Sequence, residues 1–284
     1  MLTATKSPLV STEWLAERLE SPDLVILDAT FFLPNQGRNA REDYLHSHIP
    51  GAHFFDVDTI ADHRTNLPHM LPTEDVFATA AGQFGIEEFT TVVVYDNNCF
   101  MASARAWWTF RAFGHDHVLV LDGGQARWQS LGLPTRSGPE SVHPQQFHAA
   151  LHPGLVRSFL QMQDLLNHPG AQILDARPPG RFAGQEPEPR PGLRSGHIPG
   201  SRNLFYKRLI NEETHCLKSP NTLEQEFLDA GIDPHKLVVT TCGSGITASV
   251  LALGLFCVGN EFAAVYDGSW AEWGQHQDAP VSIA

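Results

Sequence analysis

Cysteine is scarce in this chain. Four occur in 284 residues, and Cys99, Cys216, Cys242 and Cys257 are far apart with no CxxC pair among them. Neither a zinc site nor a disulfide framework is expected from that spacing, and a reducing compartment suits it. Long apolar runs are missing as well. No stretch approaches the ~18 uninterrupted apolar residues of a membrane span, and the amino-terminal MLTATKSPLVSTEWLAERL has no continuous apolar core of the kind that directs export. A soluble cytoplasmic protein without a membrane partner is the expectation. Basic residues are the third shortage: 19 Lys and Arg face 32 Asp and Glu, for a net charge of −13, and no Lys/Arg cluster interrupts that balance. A nucleic-acid partner is therefore not expected, and any anionic ligand must be held by a few local groups.

What is present is a chain written twice. LVILDAT (Leu24 to Thr30) returns as AQILDAR (Ala171 to Arg177), HSHIPGAHFF returns as RSGHIPGSRNLF, and VLVLDGGQARWQ returns as AAVYDGSWAEWG. The offsets are 147 for Asp28 and Asp175, 149 for His48 and His197, and 145 for Asp122 and Asp267. Within each copy, β-rich runs alternate with helical patterns, which predicts α/β domains built on mostly parallel sheets. The HIPG turns use Pro50 and Pro199 to fix φ and Gly51 and Gly200 to free it, and their histidines read as structural. Residues 135–154, rich in Gly, Pro, Ser and His, read as a connection. The predicted organisation is a first domain over 1–137, a linker over 138–155 and a second domain over 156–284.

The sharpest chemical signal is VVTTCGSGITASVLALGL, Val238 to Leu255. Its β-branched start suits a buried strand and its apolar end suits a helix, so Cys242 falls at a strand-to-helix corner. The first amides of a helix lack internal partners and carry partial positive charge, which favours a thiolate, the nucleophilic form. Gly243 and Gly245 are expected to use positive φ to curl the chain into an amide nest around the sulfur. VVVYD and VVTTC align at an offset of 146, so Asp96 stands where Cys242 stands in the other copy. One nucleophile, and one active site per chain, follows.

Two HIPG-containing α/β domains with a cysteine loop only in the second resemble the rhodanese superfamily of sulfurtransferases. The loop CGSGITA resembles the CGSGVTA signature of its 3-mercaptopyruvate-using branch, with Ile246 in place of valine. The stretches GRFAGQEPEPRPGLRSGHIPG, FFDVD and PHMLP resemble that branch too. The resemblance implies Cys242 as sulfur acceptor, and Arg181 and Arg190 as clamps for the donor's carboxylate and ketone. It also implies Asp58, His69 and Ser244 as a proton relay, with Gly243, Gly245, Ile246 and Thr247 completing the donor-binding loop. The implied reaction forms a persulfide, releases pyruvate and passes sulfur to thioredoxin, a small thiol or cyanide, without a metal or organic cofactor. A thiosulfate-using rhodanese is the alternative, but its CRKGVT type of loop carries two cations that this loop lacks. A cysteine phosphatase would need an arginine at position 248, which is alanine. Cys99 is expected to be a bystander thiol, and Cys257 to belong to the core.

Overall fold

A computed structural model describes residues 7–33 and 36–283; the first six residues of the amino-terminal stretch considered above lie outside them, as do residues 34–35 and 284. The chain forms two compact units. The first runs to residue 62 and takes in 71–152 and 211–217, while the second comprises 63–70, 153–210 and 218 onward. At the offset of 146 that relates the loops of the two copies, residues 65–71 correspond to 211–217, so each unit includes a short segment from the other sequence repeat.

In unit 1 the described elements run β1 (Leu9–Val10), α1 (Thr12–Ala16), β2 (Leu24–Asp28), α2 (Ala40–His46), β3 (Ala52–Phe54), α3 (Glu74–Gln83), β4 (Thr91–Tyr95), α4 (Ser103–Ala112), β5 (Val118–Leu121) and α5 (Gly124–Ser130). The strands form one sheet in the order β1-β5-β4-β2-β3, with every pair parallel. Unit 2 repeats the pattern with β6 (Val156–Arg157), α6 (Phe159–Asn167), β7 (Gln172–Asp175), α7 (Pro179–Phe182), β8 (Arg202–Asn203), α8 (Pro220–Asp229), β9 (Val238–Thr241), α9 (Ala248–Cys257), β10 (Ala264–Tyr266) and α10 (Ser269–Trp273). Its sheet order, β6-β10-β9-β7-β8, is the same and again parallel throughout.

The middle strands read as continuous β-branched runs because both faces of a parallel sheet are covered. Val92 to Tyr95 of β4 and Val238 to Thr241 of β9 are all buried. The helices that follow them are buried on nearly every side, which is why ASVLALGL lacks a polar stripe. The HIPG histidines are also interior. His48 Nδ1 lies 2.8 Å from the Tyr44 carbonyl oxygen, and His197 Nδ1 lies 2.8 Å from that of Phe182. Each anchors its turn, and Gly51 and Gly200 adopt φ of 80° and 78°. The stretch 138–152 packs along unit 1: Gln145 N–H donates to the Gly82 carbonyl at 2.9 Å, Ala150 N–H to that of Phe113 at 3.1 Å, and Phe147 is buried. Cys257 ends α9 half-buried rather than in the core.

Candidate active site

In open parallel α/β sheets, ligands gather at the carboxyl ends of the strands. Cys242 follows β9 at that end of unit 2, with only 2% of its surface exposed. The loop after it is held from behind by α10. Trp270 N–H donates to the Cys242 carbonyl at 2.9 Å, and Ala271 N–H to the Gly243 carbonyl at 2.9 Å. Ser269, which begins α10, is the hub: its Oγ accepts from the amides of Cys242 at 3.2 Å and Gly245 at 3.0 Å, and donates to the Tyr266 carbonyl at 2.8 Å. It reaches this position with φ of 49°, an uncommon conformation for a residue with a side chain. Sequence reasoning missed Ser269. The signal was present in the repeat, where DGG of the first copy becomes DGS in the second.

Helix α9 begins beside Cys242 with no side-chain cap. Among the described residues, the backbone amides of Ser244, Ile246, Thr247 and Ala248 have no protein acceptor. An uncapped helix start with several open amides is a site for negative charge. Gly245 has the expected positive φ of 78°. Gly243 does not, so the expectation that both glycines use positive φ is corrected, and what distinguishes position 243 is its neighbours. A Cβ at position 243 would lie 3.2 Å from Arg181 Nη2 and 4.0 Å from Arg190 Nη1. Both predicted clamps therefore converge on the loop, and the missing side chain gives them room.

Arg181 lies on the short helix α7, and its guanidinium is held by Glu188. Nε donates to Glu188 Oε1 at 3.3 Å, and Nη2 donates to Oε2. Arg190 follows two residues later on the same proline-rich loop, partly buried. Unit 2 thus gathers Cys242, Gly243, Ser244, Gly245, Ile246, Thr247, Arg181 and Arg190, together with the segment that carries His69. His69 is partly buried, with φ of 60°. Asp58 belongs to unit 1 and is exposed, its amide bonded to Asp56 Oδ1 at 3.0 Å.

Unit 1 has a counterpart of this loop in a different state. Asp96 Oδ1 accepts the amides of Asn98 and Phe100, both at 3.1 Å, and Oδ2 accepts those of Ala102 at 3.0 Å and Ser103 at 2.8 Å. A cavity of about 190 Å³ beside it is lined by Asn98, Cys99, Ser103, Gly124 and His215 among others. By the repeat, Asn98 corresponds to Ser244 and His215 to His69; the two histidines share left-handed φ values of 59° and 60°. No Lys or Arg lines this cavity. A shallow groove of about 740 Å³ in unit 2, lined by Gln172, Lys236, Leu237 and Phe262 among others, lies at the amino ends of the strands, and no cysteine lines it.

The pattern of the Rhodanese-like domain matches residues 11–131 and 158–276, and the chain belongs to the rhodanese family, as a tandem pair of its domains. Its relatives include the 3-mercaptopyruvate sulfurtransferase of Rattus norvegicus, 43% identical over 93% of this chain and 91% of that one. The mitochondrial thiosulfate/3-mercaptopyruvate sulfurtransferase 1 of Arabidopsis thaliana is 39% identical over 98% of this chain and 79% of its own length. Among solved structures, the 3-mercaptopyruvate sulfurtransferase SseA of Escherichia coli superposes with a TM-score of 0.85 at 37% identity, covering 93% of this chain and 99% of that one. Within the family, the chain is a sulfurtransferase of the kind these relatives represent.

Proposed function

We propose that the chain transfers the sulfur of 3-mercaptopyruvate through a persulfide on Cys242. The observation that carries this reading is the convergence of two arginines on a cysteine loop several of whose amides find no protein acceptor among the described residues. An arginine presents a planar fork of donors suited to a carboxylate, and mercaptopyruvate carries a carboxylate beside a ketone.

The Cys242 thiolate attacks the donor sulfur, the C–S bond breaks, and its electron pair leaves with the carbon fragment as the enolate of pyruvate. The proton of the donor thiol passes to that enolate. Negative charge is conserved, from thiolate plus mercaptopyruvate to persulfide plus pyruvate. The loop amides stabilise charge on sulfur at no cost in reorganisation. Ser244, oriented by His69 and Asp58, moves the proton. This relay rests on the family resemblance, with support from the repeat, in which the counterpart of His69 lines the cavity beside Asp96. A thiol of the thioredoxin type, a small thiol or cyanide then takes the outer sulfur and restores the thiolate, and the covalent intermediate divides one transfer into two steps. No described helix is long and apolar enough to cross a membrane.

Thiosulfate is the second reading, favoured by the arginines near the loop and opposed by the absence of any cation on residues 243–247. Steady-state rates with each donor, with cyanide and with a dithiol as acceptor, separate the two. Mass spectrometry after incubation with mercaptopyruvate is expected to place one added sulfur on the peptide containing Cys242; sulfur on Cys99 instead defeats the mechanism. The double change Gly243→Arg with Ser244→Lys is expected to raise the thiosulfate-to-mercaptopyruvate ratio of kcat/KM at least ~10-fold, about 1.4 kcal/mol of differential binding. A folded variant with an unchanged ratio would separate donor choice from the loop.

A further inference from the structure

Glu188 lies in the run EPEPRP, where its carboxylate is only 2% exposed yet holds two guanidinium groups. Arg177 Nη1 donates to Glu188 Oε1 at 2.7 Å, and Arg181 donates through both Nε and Nη2. Arg177 is also paired with buried Asp175, at 2.7 Å, and stacks 4.4 Å over the ring of Trp270, whose backbone amide holds the Cys242 carbonyl. Burial opposes the charge on Arg177, but Asp175 and then Glu188 outweigh it and raise its pKa. Asp175, Arg177, Glu188 and Arg181 thus form a cluster of two carboxylates and two cations with no net charge, one edge of which reaches the loop at Gly243.

A guanidinium whose charge is cancelled at close range still donates hydrogen bonds, but it attracts a distant anion weakly. The attraction lost is proportional to the ligand's charge, so a dianion loses twice what a monoanion loses. We propose that Glu188 is a positioning residue that sets donor charge: it holds the Nε–Nη2 edge of Arg181 and cancels its charge, so the clamp favours a singly charged 2-oxo acid over a dianion such as thiosulfate. The inference rests on the mercaptopyruvate reading above and deepens it. A lysine or arginine in the loop is one way to favour a dianion; a carboxylate behind the clamp acts in the opposite direction.

The test is kcat/KM for both donors in Glu188→Gln and Glu188→Asp. Glu188→Gln keeps the size and loses the charge, and the thiosulfate-to-mercaptopyruvate ratio is expected to rise about tenfold, mainly through KM for thiosulfate. Glu188→Asp keeps the charge and shifts it, so both rates fall while the ratio stays that of the wild type. An unchanged ratio in folded Glu188→Gln, with both donors handled equally worse, means that Glu188 only shapes the loop and overturns the proposal. Wild-type inhibition supplies an arm independent of folding: pyruvate is expected to compete about tenfold better than ketomalonate, which adds a second carboxylate to the same 2-oxo acid. Equal competition overturns the proposal as well. Failure of the wild type to turn over mercaptopyruvate at all would instead remove the reading on which it rests.

Discussion

Asp96 and Cys242 occupy the same corner of the two units, each directly after the middle strand of its sheet and before a buried helix. In unit 1 a carboxylate from the chain itself fills the amide nest, accepting four N–H groups and serving as the cap that α4 otherwise lacks. In unit 2 three of the four corresponding amides, those of Ser244, Ile246 and Ala248, find no protein acceptor among the described residues, the fourth, Ser249, donates to the Ile246 carbonyl at 3.2 Å, and a sulfur stands beside them. The same backbone device therefore stabilises a fold in one copy and is left available for chemistry in the other. The contrast extends to the turn after the last strand. A Cβ on Gly124 would run into the Asp96 carbonyl, whereas Ser269 at the equivalent place holds the Cys242 loop by its hydroxyl.

Exchanging the two residues breaks this comparison most severely. Cys242→Ser is expected to lower kcat by about a thousandfold or more, since a hydroxyl forms no persulfide. Adding Asp96→Cys to that variant is not expected to restore turnover. The nest exists in unit 1 without paired glycines, at the cost of positive φ at Cys99 and Phe100, but no arginine lines its cavity. Recovery of mercaptopyruvate turnover in the double variant would show that the clamps are dispensable.

Emptying the filled nest tests its structural side. Asp96→Ala leaves four amides without their acceptor and is expected to cost about 3–5 kcal/mol in urea unfolding, against about 1–2 kcal/mol for Cys242→Ala. Equal costs would mean that the two nests are alike.

The strands preceding the nests differ in their own acid. Asp175 is paired with Arg177, whereas Asp28 has Thr30 in that place and its pKa is raised by burial to about 6, Thr30 and Tyr95 only partly offsetting the rise. A carboxyl whose folded pKa lies above its unfolded value contributes stability at low pH that is lost as pH rises from about 4 through about 6. Asp28→Asn removes that dependence, so its stability relative to the wild type is expected to improve by about 2 kcal/mol between pH 4 and pH 8. A difference that does not vary with pH would place the folded pKa near the ordinary value.

The smallest expected effect concerns the clamps that only unit 2 brings to its nest. Arg181→Lys and Arg190→Lys each replace a planar fork by a point charge and should lower kcat/KM for mercaptopyruvate by about 1.5–3 kcal/mol. Wild-type values in both variants would remove the arginines from the donor.

The repeat, the parallel α/β class and the strand-to-helix corner at Cys242 were legible in the residues, because β-branched runs, HIPG turns and an all-apolar helix are local patterns with few alternative readings. The family followed from CGSGITA and the stretch around Arg181 and Arg190. Ser269 was not legible as a site residue, since nothing around DGSW says that its hydroxyl turns back toward a loop 27 residues earlier. The conformation of Gly243 was misread for a similar reason: local sequence suggests positive φ, and the structure instead places the tips of two arginine side chains from another loop beside it. In the sequence Glu188 is one of two acids in a proline-rich stretch, with nothing to mark it apart from Glu186.

By itself, the sequence determined which corner carries a cysteine and which carries an acid, because a substitution at one aligned position is visible without coordinates. Only the tertiary structure decided what each corner does with its amides. Whether an N–H is open or bonded depends on where an acceptor is placed in space: Asp96's own carboxylate curls back in one unit, and in the other α10 holds two loop carbonyls and the amides of Cys242 and Gly245 while those of Ser244, Ile246 and Ala248 find no protein acceptor among the described residues. That is a property of three-dimensional proximity, and no spacing along the chain encodes it directly.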